Sequence, residues 1–133
     1  MHFFKLYVIT ILFGILGAIG GAFAGGFIAA ARCQGGLGCL GAAFLGVGLG
    51  AILVESCAMA LAAHLANQNQ GNLPLTFLPT ILLAVPIPFA LLLGFTAPLA
   101  VPFFLLQAWV CVKAQLATGG RRRVGRRARS GSL

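Results

Sequence analysis

The sequence predicts an all-α integral membrane protein: a four-span transmembrane helical bundle with a glycine-rich first hairpin and a proline-kinked second hairpin. Three observations predict it. Sixty percent of the 133 residues are hydrophobic and only 8% are charged, where soluble domains carry about 25%. The apolar residues are gathered into runs long enough to cross a bilayer, with a mean hydropathy of +1.04. Glycines recur at helical spacing early in the chain, whereas all six prolines fall in its second half. Too little polar surface exists to cover a globule in water, so the solvent for most of the chain is lipid. The length suits one small bundle and leaves no room for a separate soluble domain.

The first run, Leu6 to Ala31, holds 26 residues and ends at Arg32. About 20 residues suffice for a hydrocarbon core about 30 Å thick. The second, residues 39–66, contains one charge, and Asn67-Gln68-Asn69-Gln70-Gly71-Asn72 follows as a polar, uncharged loop. From Leu73 to Leu116 the chain is apolar for 44 residues. As one helix that stretch would reach about 66 Å, twice the membrane, so it must fold back. Gly94-Phe95-Thr96-Ala97-Pro98 holds the helix breakers. The membrane domain is therefore 1–119, with spans at about 6–31, 39–66, 75–93 and 98–116, and 120–133 is a disordered tail.

Charge placement sets the orientation. Six of the nine Lys and Arg residues lie in the last thirteen positions: Arg121, Arg122, Arg123, Arg126, Arg127 and Arg129. The positive-inside rule keeps such a cluster in the cytoplasm. An even number of spans then puts the N-terminus and Lys5 inside and Arg32 outside, as expected for a bacterial inner membrane. Ala22-Phe23-Ala24 resembles a signal-peptidase site, but the apolar run continues past it and exceeds the usual 7–15-residue core of a signal peptide. An uncleaved anchor is the favoured reading. Next to anionic lipid, each basic tail residue contributes about 1 kcal/mol of attraction. Nucleic acid is disfavoured as a partner because the tail has no aromatic residues and no folded platform.

Gly14, Gly17, Gly21 and Gly25 are three, four and four residues apart, on one face of the first helix. In lipid, close backbone approach rather than the hydrophobic effect holds helices together, and glycine permits it. The second span offers Gly41 and Gly48, seven apart. These faces pack the two helices within one chain or, as a glycine zipper, between copies.

Glu55 is the only acidic residue and falls mid-membrane. It lies seven residues after Gly48 and so shares its face. A charged carboxylate there costs about 2.5–3.5 kcal/mol on insertion scales, and an ionisable group inside a membrane is a functional hypothesis by default. Glu55 either holds a proton for conduction or serves assembly through a hydrogen bond or a partner's basic residue. A glycine-rich helix followed by a membrane carboxylate is similar to the rotor subunits of ATP synthases, but those are two-span hairpins with a polar loop. Small multidrug exporters carry their glutamate in the first span, with aromatics this chain lacks. Neither family is assigned.

Cys33 and Cys39 bracket a glycine-rich loop and form a possible disulfide, worth about 2–3 kcal/mol by loop closure; the alternative is two small apolar residues at helix ends. A zinc site would need a second ligand pair nearby. Cys57 and Cys111 read as packing residues. His64 falls nine residues after Glu55, on the opposite side of the helix, which argues against a relay. No catalytic or cofactor signature is present, and any cofactor is unknown. The expectation is a small non-catalytic accessory or assembly subunit of a larger membrane complex, surrounded by lipid and packed against other membrane subunits or copies of itself. The alternatives are a homo-oligomeric channel or proton-coupled transporter centred on Glu55, and a holin-like pore former.

Overall fold

The structure, a computed structural model, describes residues 3–33, 35–69, 71–87 and 97–130, without the side chains of 97–99 and 120–130. The described residues form helices joined by turns, with no strand among them: α1 is Phe3–Ala31, α2 Leu37–Ala66, α3 Leu73–Ala84 and α4 Ala97–Ser130. Among the described residues three stretches are long and apolar enough to cross a membrane, namely α1, α2 and Ala100–Gly119 of α4. Helix α3 has 12 residues, about 18 Å of rise, which falls short of the hydrocarbon core. The remainder of the predicted third span (88–93) and the break at 94–96 lie outside the described residues.

Local chemistry places the helix ends. Gly35 and Gly36, at φ 99° and 95°, turn the chain between α1 and α2 in a region that disfavours other residues. The Cys33–Cys39 disulfide closes this turn. After α2, Asn67, Gln68 and Asn69 donate their N–H groups to the carbonyls of Ala63, Leu65 and His64, satisfying the helix end. Pro74 occupies the first turn of α3, where its missing N–H removes no bond. The main chain of α4 is helical from Ala97 through the arginine-rich segment to Ser130. Arginine is a good helix former, and no proline follows Pro102.

Side-chain contacts define the helix directions. Gly17 faces Val54 and Ala58, Gly21 faces Gly50, and Gly25 faces Gly46, so α1 and α2 are antiparallel. Thr76 meets Gln115 and the Asn72 N–H meets Thr118, making α3 antiparallel to α4. His64 meets Gln115 while Glu55 lies beside Gln107, so α2 and α4 run parallel. The N-terminus, the 67–72 loop and the C-terminal half of α4 therefore share one end of the bundle. The disulfide loop is at the other.

At the α1–α2 interface a Cβ on Gly21 would collide with the Gly50 carbonyl, and one on Gly25 with the Gly46 carbonyl. The backbones touch with nothing between them. The small face of α2 is therefore Gly46, Gly50 and Ala58. Gly41, expected from its spacing to take part, has nothing within 4 Å, because it lies on another side of the helix; Gly48 is half-buried. Gly14 instead faces the Met59 side chain and the Phe104 ring, which a Cβ there would crowd.

Glycine at the contacts and glycine in the open should respond oppositely to a methyl group. Gly21→Ala or Gly25→Ala should destabilise the bundle by about 1–3 kcal/mol, the usual range for overpacking. Gly41→Ala should be neutral or stabilising by up to about 1 kcal/mol, from helix propensity alone. Unfolding by a denaturing detergent in mixed micelles measures all three.

Candidate functional site

A band of polar side chains is buried where α2, α3 and α4 meet. Polar residues recur on one face of α4 at Gln107 and Gln115, with Cys111 midway, and on α3 at Thr76 and Thr80; all five are buried. Spacings of four keep each set on a single helix face. Met59, Ala63, Ala108 and Cys111 form the apolar core beside them, with Tyr7, Ile11 and Phe104 packed against it.

Toward the end with the 67–72 loop the band is fully bonded. Thr76 Oγ1 lies 2.6 Å from Gln115 Oε1 and 2.9 Å from the Asn72 carbonyl. Gln115 Nε2 lies 2.9 Å from His64 Nδ1. Gly71 covers the Gln115 amide so closely that a Cβ there would strike it. Thr80 Oγ1 donates to the Thr76 carbonyl at 2.7 Å and lies beside the Cys111 thiol. Such back-bonding to the preceding turn lets threonine sit in a helix interior without an orphaned hydroxyl.

Deeper in the bundle the bonding stops. Glu55 is only 6% exposed and lies beside the Gln107 amide, yet among the described residues Oε1 of Glu55 and both polar atoms of Gln107 lack a hydrogen-bond partner of full geometry. Ser56 Oγ is likewise buried and unpartnered. The nearby cation of α4, Lys113, is held elsewhere, with its Nζ 5.5 Å from the Phe3 ring centre and 5.4 Å from that of Trp109. Gly17 brings α1 against the Glu55 backbone, its Cβ position 3.0 Å from the Glu55 Cα. Glu55 therefore faces the interior of its own chain.

His64 and Glu55 make no contact, but both meet the same helix. Gln107 and Gln115 have side chains long enough to reach one flank of α2 each. Sequence reasoning singled out Glu55 and passed over Ser56, Thr76, Thr80, Gln107 and Gln115. Two glutamines eight residues apart in an apolar run were the available signal. Among the described residues no group of three or more His, Cys, Asp or Glu side chains is placed to hold a metal. The arginine side chains at 121–129 lie outside the described residues.

Protein-family models, curated proteins and solved structures yield no match to this chain. The functional reading therefore rests on the residues and their arrangement.

The bonded and unbonded glutamines should differ on substitution. Gln115→Leu removes the partner of Thr76 and His64 and should cost about 0.6–1.7 kcal/mol, between the mean and the maximum measured for interhelical hydrogen bonds in a bilayer protein. Gln107→Leu, which removes no hydrogen bond of full geometry among the described residues, should cost less. The same detergent titration ranks the pair.

Proposed function

We propose that this chain is a small, non-catalytic polytopic membrane protein that acts as an accessory or assembly subunit of a larger membrane complex. One observation carries the reading: glycines stand on helix faces where packing among the described residues has no use for them. A Cβ at Gly20 or Gly41 would meet nothing within 4 Å among the described residues, although glycine costs a helix up to about 1 kcal/mol relative to alanine. Lipid gains little from a missing methyl group. A helix of another subunit gains close approach. Around these notches no residue from Leu37 to Ala51 is buried, and Phe23, Phe27, Leu40, Phe44 and Leu45 are all more than half exposed.

The topology that suits this role has four spans and both termini in the cytoplasm of a bacterial inner membrane. Lys5 and the arginine-rich end of α4 then share the cytoplasmic side with anionic lipid, and Arg32 and the disulfide face the oxidising compartment. The α1–α2 pair serves as a glycine-lined hairpin that presents its outer half to a partner. The second reading is a homo-oligomeric channel or proton-coupled transporter, and the unpartnered Glu55, Ser56 and Gln107 favour it.

Extraction in mild detergent should recover the chain in fixed stoichiometry with other membrane proteins. Gly41→Leu should release it from them while leaving its own thermal unfolding unchanged. Recovery as a homo-oligomer alone, with Glu55-dependent proton leakage in liposomes, would replace the first reading with the second.

A further inference from the structure

We propose that Glu55 is a proton-binding site that exchanges with one end of the bundle only, the end bearing the 67–72 loop, through the polar band between α2, α3 and α4. The inference stands whether or not the chain serves as a subunit of a larger complex.

The site itself is marked by unfilled hydrogen-bonding capacity. A buried polar group without a partner is rare and calls for a reason, and here Glu55 Oε1, Ser56 Oγ and both ends of the Gln107 amide are left over on neighbouring faces of α2 and α4. With no cation beside it among the described residues, a charged carboxylate at this depth would be costly. Two side-chain oxygens and one amide are too few for a metal ion that takes 6–8 oxygens. They suit a carboxylic acid that passes its proton to water.

The path follows from the spacing. Gln107, Cys111 and Gln115 are four residues apart, so successive rungs are separated by about 6 Å along α4. That is about twice a hydrogen-bond length, the span of one bridging water. Thr80 stands beside Cys111 and Thr76 beside Gln115. His64, half-buried on Gln115, leads on toward the Asn72–Thr118 contact and the loop. In this path the O–H bond of Glu55 breaks as a water takes the proton. The water chain carries it outward, and the rungs order the water without changing their own ionisation.

Among the described residues the opposite direction offers no polar step. Between Glu55 and the disulfide, α1 and α2 touch at Gly21 against Gly50 and Gly25 against Gly46. The described sequences 18–31 and 40–54 contain no polar side chain, and neither does 100–106 on α4. The titratable groups that bear on Glu55 are few. Helix α4 offers Cys111. Helix α1 offers Tyr7, which donates to the Leu105 carbonyl at 3.2 Å. Described α3 residues offer none. On α2 itself Cys57 points outward and His64 lies two turns away.

The test uses the full chain in liposomes, sorted by whether external protease removes the arginine-rich end, with impermeant buffers setting each side acid or alkaline. The protonated carboxyl adds its O–H across a C=N bond of a hydrophobic carbodiimide, the product rearranges to a stable N-acylurea, and mass spectrometry measures this Glu55 adduct; Glu55→Gln supplies the blank. Labelling should follow the pH on the side of the 67–72 loop and ignore the pH on the disulfide side. Thr80→Val, which keeps the side-chain shape, and Gln115→Leu should each slow the response to a pH jump on the loop side by about tenfold without changing its final extent. Labelling governed by the disulfide side, by both sides or by neither would overturn the proposal, as would unchanged response rates in both variants.

Discussion

Hydrocarbon offers peptide groups nothing to bond to, and the rest of this structure follows from that constraint. Every N–H and carbonyl in the apolar runs must be satisfied within the segment that carries it, which leaves the helix as the form open to a chain of this size. The same solvent removes the usual reason for helices to associate, because lipid tails are as apolar as leucine. Two resources remain, close backbone contact and hydrogen bonding between side chains. The bundle uses one in each half.

In the first half the contact is backbone on backbone. Gly21 and Gly25 of α1 lie against Gly50 and Gly46 of α2 with no side chain between them, and the disulfide ties the two helices at one end. Such an interface depends on shape alone, and a single methyl group is enough to part it. In the second half the helices are joined by chemistry. Thr76, Gln115 and His64 bridge α3, α4 and α2, and the Tyr7 hydroxyl ties α1 to the α4 backbone.

Glu55 sits where these two regimes meet. Below it, toward the 67–72 loop, polar side chains recur at every turn of α4; above it, glycine contacts exclude them. The carboxyl is thus the innermost member of a polar series that is complete at the outer end and incomplete at the inner one. This gradation, more than the presence of a membrane acid, gives the site its character. An isolated structural carboxyl would be expected to close its hydrogen bonds locally.

Membrane residence, the helical class, and the limits of α1 and α2 to within a few residues were legible in the sequence, because hydropathy and length depend only on the nature of each side chain and its neighbours along the chain. The pairing of faces was not. A spacing of seven made Gly41 and Gly48 look like the partner surface, whereas Gly46 and Gly50 oppose α1; α2 has several glycine faces, and only the rotation of one helix against another selects among them. Glu55 was legible as an anomaly of charge, but its surroundings were not, since Gln107 and Gln115 come from a helix some fifty residues further on. Sequence by itself determined what solvent the chain requires and where three helices long and apolar enough to cross it lie. Tertiary structure decided which glycines touch and which polar atoms are left without a partner, because those depend on how helices distant in the chain are turned toward one another.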